Sequence, residues 1–189
     1  MHEALASYIK QDIDITEEEL GRILSCFRPL SVRKQEVLLN RGQVNRQINF
    51  VTKGCLRIFF IDEKGEEATR YLAFENHFAT ALVSFISQEP SMEYVQALED
   101  SEVLYIEKPD FERLLETVRS WEKFYRHYLE SAYTTNTNRL MSFITMDAQE
   151  RYRLLLEKNP EVVLRLSNRI VANYLNISQE TLSRLKSRI

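Results

Sequence analysis

The segment from Ser167 to Ile189, SNRIVANYLNISQETLSRLKSRI, constrains this chain more than any other, because its caps, turn residue and apolar spacing agree on one local solution. Ser167 can N-cap a first helix in which Ile170, Val171, Tyr174 and Leu175 recur at helical spacing. Ser178 can N-cap a second, with Ile177, Leu182 and Leu185 supplying its apolar face. Between them stands Asn176, one of the few residues besides Gly that takes a left-handed backbone cheaply, and Ala172 is small enough to sit where two helices cross. The spacing therefore predicts two short crossed helices joined by a tight turn. The second helix leaves Ser178, Gln179, Glu180, Thr181, Ser183, Arg184, Lys186 and Arg188 to solvent. Gln, Glu and Arg can exchange hydrogen bonds with base edges in a major groove, and Thr, Ser and Lys suit phosphates. A plain surface hairpin of helices is the alternative, and it has no need of so many agreeing signals.

The net charge of −3 argues against a general affinity for nucleic acid, but the charge is unevenly placed. From Arg151 to Ile189 there are eight Lys or Arg against three Asp or Glu, a balance of +5 that leaves −8 for the rest. The basic end is the end that carries the paired helices. A chain of 189 residues, 44% hydrophobic and 28% charged, can form one large core or two modest domains. No apolar run reaches the length of a membrane span and the N-terminus lacks a signal-peptide order, so a cytoplasmic protein without membrane partners is expected. Cys26 and Cys55 are isolated, and His2, His77 and His127 do not gather, so no metal site, no disulfide and no cofactor are expected. No Gly-rich phosphate loop, nucleophile elbow or paired His-Glu motif appears, which argues against an enzyme.

Residues 1 to about 30 read as helical, with Thr16 and Glu19 forming a capping box before Leu20, Ile23, Leu24 and Phe27, and Pro29 ending the run. From there to about Ile106, short runs of Val, Ile, Phe and Tyr alternate with polar turns at Asn40 to Gly42, Lys53-Gly54 and Asp62 to Gly65, the pattern of an antiparallel barrel or sandwich. Pro109 can start a long helix to about Ala132, whose stripe includes Leu114, Val118, Trp121, Tyr125, Tyr128 and Ala132. So wide a stripe can bury one edge on the sheet and offer another to a second subunit. The run Thr134 to Asn138, poor in helix formers, is the expected hinge.

The run ANYLNISQETLSR resembles the helix-turn-helix of the Crp/Fnr family of bacterial transcription regulators, in which a Glu-Thr pair and an Arg four positions after the Glu face the operator. Glu180, Thr181 and Arg184 stand at those places, while Asn176 replaces the family's frequent Gly. INFVTKGCLRIFFIDEKGEEATRYLAF is similar to the β-roll of the cyclic-nucleotide-binding domain, and RYRLLLEKNPEVVLRLSNRIVANYLNIS is closest to small Bacteroidetes-type members. The resemblance implies an α+β chain: a β-roll effector domain (a double-stranded β-helix) with an N-terminal helix over 1–108, a dimerisation helix and hinge over 109–136, and an all-α helix-turn-helix domain over 137–189. It further implies a homodimer through Val118, Trp121, Tyr125, Tyr128 and Ala132, a palindromic double-stranded DNA operator, and RNA polymerase as a further partner. No wing is expected after Ile189.

The phosphate-binding Gly-Glu pair and Arg of cyclic-AMP-binding members are replaced by Thr80, Ala81 and Ser91. A buried phosphate without a cationic partner is poorly compensated, so cyclic AMP is not expected to bind in the usual manner. Phe74, Phe78, Leu82, Phe85, Ser91, Met92 and Tyr94 are the candidate lining of this region. They make either a filled core or a pocket for a less charged effector, and Arg57 or Arg70 could serve a non-standard nucleotide pocket.

Overall fold

The computed structural model describes residues 1–187, in two compact units. The first comprises Met1–Phe60 and Tyr71–Leu129; the second comprises Ile61–Arg70 and the chain from Glu130 onward.

The first unit opens with two helices where the sequence suggests one helical stretch: α1 (His2–Asp12) and α2 (Glu17–Ser25). The chain extends at Ile13, and Thr16 then caps α2 by accepting from the Glu19 amide at 3.2 Å. Eight strands follow: β1 (Arg28–Val32), β2 (Val37–Leu39), β3 (Gln47–Lys53), β4 (Leu56–Ile61), β5 (Glu67–Ala73), β6 (Phe78–Ala79), β7 (Tyr94–Ala97) and β8 (Ser101–Glu107), with a short helix α3 (Leu82–Ser87) between β6 and β7. They form two four-stranded sheets in the orders β1-β8-β3-β6 and β2-β7-β4-β5. Pro29 sits in β1, an edge strand, where a missing amide donor costs no ladder bond.

Strand alternation gives this roll two cores. Val51, Val103, Leu56, Ile58, Val95 and small Ala residues fill the space between the sheets. Ile48, Phe50, Leu104 and Ile106, one residue out of phase, turn outward. They meet Leu5 and Ile9 of α1, Leu20 and Ile23 of α2, and Phe111, Trp121 and Phe124 of the helices that follow. The pairing of Phe50 with Leu104 and Ile48 with Ile106 across β3 and β8 sets this register.

The helix expected from Pro109 to Ala132 is in fact two. α4 (Lys108–Thr117) stops at Val118, whose φ of −130° and ψ of 100° are extended, and α5 (Arg119–Thr145) then runs 27 residues without interruption. The expected hinge at Thr134 to Asn138 is therefore helical. Val118 is 1% exposed, and its burial offsets the lost helical bonds at the break.

In the second unit, α6 (Ala148–Lys158) starts on a full capping box of Asp147 and Glu150. It is followed by α7 (Pro160–Arg165), α8 (Asn168–Leu175) and α9 (Gln179–Lys186). Tyr152, Leu155, Val162, Leu166, Ile170, Val171, Ala172, Leu175, Leu182 and Leu185 are among its buried side chains.

Candidate nucleic-acid interface

The geometry of α8 and α9 is set by residues that act locally. Ser167 accepts from the Ile170 amide and Ser178 from the Thr181 amide, so each helix begins on a hydroxyl cap. Asn176 adopts φ 53° and ψ 52°. Its amide donates to the Asn173 carbonyl, and the Ile177 amide reaches back to Ala172, the paired bonds of a Schellman ending. Leu182, fully buried, and Ala172 lie within the unit's interior, as the sequence predicts for the crossing.

With Leu182 and Leu185 turned inward, Ser178, Gln179, Glu180, Ser183 and Arg184 stand exposed, while Thr181 and Lys186 are partly covered. Arg188 lies outside the described residues. Glu180 and Arg184 are four apart and share a face. Arg184 donates to the Thr181 hydroxyl at 3.1 Å, and Ser178 donates to the same hydroxyl at 3.0 Å, so the outer rim of α9 is a small hydrogen-bonded set anchored at its own cap. Lys186 donates to the Asn168 side chain at 2.6 Å, tying the end of α9 to the start of α8.

Three residues of the second unit that the sequence did not single out complete the site. The Asn173 side-chain oxygen accepts from the Thr69 amide at 2.6 Å and from the Thr69 hydroxyl at 2.5 Å, and its amide group donates to the Glu67 carbonyl. Its carboxamide thus satisfies the edge of β5 in the manner of a neighbouring strand. Arg169, four residues earlier on α8, is paired with Glu67 at 3.0 Å. Arg139 of α5 donates to the carbonyls of Thr69 and Tyr174, at 3.2 and 2.6 Å, with its guanidinium 3.7 Å from the Tyr174 ring centre and 4.9 Å from that of Phe143. Burial pulls the Arg139 pKa below the usual guanidinium value, with nearby Arg70 and Arg151 acting in the same direction. No sequence signal marks these contacts: Asn173 and Arg169 meet partners 104 and 102 residues away, and Arg139 meets Thr69 and Tyr174 at separations of 70 and 35.

In the first unit, Thr80 and Ser91 are bonded to other residues of the roll. Thr80 accepts from Asn45 at 2.7 Å and donates to the Gln47 carbonyl at 2.9 Å, Ala81 is fully buried, and the Ser91 hydroxyl closes a local turn onto Glu93. Ser84 accepts from the Asn45 amide at 2.9 Å, and Gln88 donates to the Asn45 carbonyl at 3.0 Å. Arg57 does not point into the roll: it lies opposite in phase to Leu56 and Ile58, donates two bonds to Gln96 at 3.0 and 2.8 Å, and stacks 3.8 Å over Phe59. Arg70 belongs to the second unit, beside Arg139.

The candidate pocket residues are dispersed. Phe78 and Phe85 join the outer core, Phe74 is buried, Leu82 is partly covered, Tyr94 stacks on Phe59, and Met92 is 60% exposed. Phe78 lines a cavity of about 10 Å³ beside Trp121, Tyr125 and Tyr128, walled mostly by aromatic rings and no larger than a single water requires. Of the candidate dimer residues, Val118 and Trp121 are spent on their own unit's core, and Tyr125, Tyr128 and Ala132 are partly covered. The free apolar face of α5 lies further along, at Tyr133, Leu140 and Ile144, which are 75%, 60% and 69% exposed. Among the described residues no group of His, Cys, Asp and Glu could hold a metal ion, and no helix is long and apolar enough to cross a membrane.

The profile of the family described as "Cyclic nucleotide-binding domain" matches residues 29–118, the β-roll through α4. The transcriptional regulatory protein btr of Bordetella pertussis is 33% identical over 104 residues, covering 49% of this chain and 43% of that protein. Residues 29–118 are a cyclic nucleotide-binding domain. Solved Crp/Fnr-type structures carry the same fold beyond the domain itself. FixK2 from Bradyrhizobium japonicum superposes with a TM-score of 0.73 at 18% identity, over 86% of this chain and 83% of its own. A CooA variant from Carboxydothermus hydrogenoformans gives 0.71 at 16%, over 88% and 77%. The c-di-GMP responsive regulator CLP of Xanthomonas campestris gives 0.70 at 16%, over 92% and 91%. At these identities the Crp/Fnr-type fold is what is shared. The btr match spans less than half of that protein's length.

Proposed function

We propose that this chain is a homodimeric transcription regulator that reads a two-fold symmetric DNA operator through α9, in a manner independent of cyclic AMP. The observation that carries the reading is the exposed face of α9, with Glu180 and Arg184 one turn apart on a helix that starts on the Ser178 hydroxyl cap just after the left-handed Asn176. Arg184 is suited to donate to guanine and Glu180 to accept from a cytosine amine, each good contact being worth about 1 to 3 kcal/mol of discrimination. Lys186 and Thr181, at the margins, suit phosphates and so supply affinity without sequence preference. The apolar face of α5 supports a second copy as the partner that spaces two such helices one duplex turn apart. RNA polymerase is the further partner this role implies.

Independence from cyclic AMP follows from Thr80, Ala81 and Ser91, which offer no cation and whose polar atoms already hold partners within the roll. Site selection from a random duplex pool tests the reading. A symmetric site is expected, Arg184→Ala should relax one base position in each half-site, and Lys186→Ala should weaken all sequences alike. Selection of no symmetric site, or an unchanged site with Arg184→Ala, would remove α9 as the reader. Calorimetry with cyclic AMP should show no heat of binding, and a micromolar dissociation constant would refute the second half of the proposal.

A further inference from the structure

The polar face of α8 is as well placed as α9 to meet a duplex, yet it is already engaged. Ile170, Val171 and Leu175 turn inward, which leaves Arg169 and Asn173, four residues apart, on the outer side of the helix. In paired-helix DNA readers the first helix crosses the sugar-phosphate backbone, and an Arg and an Asn at its start and middle are the groups that would bond phosphates. Here both are held by the segment Ile61–Arg70, which belongs to the same compact unit. Glu67 gives Arg169 a carboxylate at 3.0 Å, in the role a phosphate oxygen would take, and the Glu67 carbonyl with the Thr69 amide and hydroxyl bonds the Asn173 carboxamide.

The segment is itself acidic: Asp62, Glu63, Glu66 and Glu67 stand against Lys64 and Arg70. It is folded as a tight turn in which Asp62 accepts from the amides of Lys64 and Glu66, so its charge is fixed in place. The helices it adjoins come from the part of the chain with the basic excess. A structural connector has no need of this charge, whereas a competitor for an anionic ligand does.

We propose that the acidic turn is a built-in competitor for DNA: Glu67 and the β5 backbone hold Arg169 and Asn173 of α8 in place of duplex phosphates, and DNA binding requires their release. This rests on the DNA-reading role proposed above and adds a regulatory contact to it. Any signal that moves the 61–70 turn then changes affinity for all sequences together, leaving the base preference set by α9 untouched.

The full chain is titrated against a fluorescein-labelled mixed-sequence duplex of about thirty base pairs at about 50 mM salt, with binding read as anisotropy. Glu67→Gln should bind roughly two- to fivefold tighter than wild type, the range that one exposed ion pair spans. It should also steepen the salt dependence by about 0.9 in log–log slope for each freed arginine. Glu63→Gln removes the same charge from the same turn without touching Arg169 and should change affinity less than Glu67→Gln does. In an Arg169→Ala background, Glu67→Gln should lose its effect. Independently, the Thr69 amide, which Asn173 protects in the free chain, should exchange faster with deuterium when duplex is saturating. If wild type binds and Glu67→Gln binds no tighter, or Thr69 exchange does not accelerate on DNA, the competitor role is refuted while the reading role stands. If neither wild type nor variant binds duplex at all, the DNA-reading proposal fails and this one with it.

Discussion

Gly54 lies in the turn between β3 and β4 with φ of +91°, and a side chain there is opposed twice over. A Cβ would stand 2.3 Å from the Ser101 hydroxyl and 2.9 Å from both the Asp100 carbonyl oxygen and the Ser101 Cα. The hydroxyl cannot swing clear without loss, because it accepts from the Cys55 amide at 3.2 Å and donates to the Glu99 carbonyl at 2.8 Å. The other two contacts are backbone. Gly42 offers the comparison: its φ is +87°, also left-handed, but a Cβ there meets nothing within 4 Å. Gly42→Ala therefore isolates the conformational cost, roughly 1 to 2 kcal/mol before the smaller entropy of the unfolded alanine chain returns part of it. Gly54→Ala adds a forced displacement of backbone, roughly 1 to 3 kcal/mol more. Trp121, the single tryptophan and 2% exposed in the outer core of the same unit, provides the signal for urea unfolding. The expected order is wild type, then Gly42→Ala, then Gly54→Ala lower by roughly a further 2 kcal/mol. Equal losses for the two variants would refute the steric argument and leave backbone conformation as the whole effect.

Leu140→Glu with Ile144→Glu should convert the proposed dimer to a monomer in sedimentation, weakening association by roughly three orders of magnitude or more since two large apolar side chains per chain would lose their cover; a persistent dimer would place the interface elsewhere. Tyr8 and Tyr125 have pKa values raised above 10.0, Tyr8 by burial and then by Asp12, Tyr125 by burial. The folded chain keeps these protons to higher pH than the unfolded chain does, so their contribution is intact below about 10 and lost as pH rises beyond it. Urea midpoints measured between pH 8 and pH 11 should fall at the alkaline end, and Tyr8→Phe should make that fall shallower. Asn176→Gly should leave the melting of the second unit within about 0.5 kcal/mol, whereas Asn176→Val should cost roughly 2 kcal/mol by calorimetry, because a branched side chain resists φ of 53°.

The parts of this fold that were legible in the sequence are those whose causes are local. Ser167, Ser178 and Asn176 announce the ends of α8 and α9 within a few residues of chain, and Thr16 does the same for α2. The lack of charge at Thr80, Ala81 and Ser91 was equally plain, since charge type is a property of the residue. What the sequence did not convey is decided by contact. Nothing in the letters around Val118 predicts an extended residue between two helices; the buried site it fills does so. The engagement of Asn173 by Thr69 depends on partners 104 residues apart. Phe78 and Phe85 could equally have lined a pocket, and only the rings around them show that they are part of the outer core.

The unbroken run of α5 through Thr134, Thr135, Asn136, Thr137 and Asn138 has a consequence for how that helix moves. Five such residues are roughly 3 kcal/mol less willing to be helical than five alanines. All five are exposed, so packing within their own chain returns little, and the Thr134 hydroxyl, which donates to the Glu130 carbonyl at 2.9 Å, shares an acceptor that the helix ladder also uses. A typical helix frays from its ends inward. This one should open in the middle, its central amides exchanging with solvent sooner than the turns on either side.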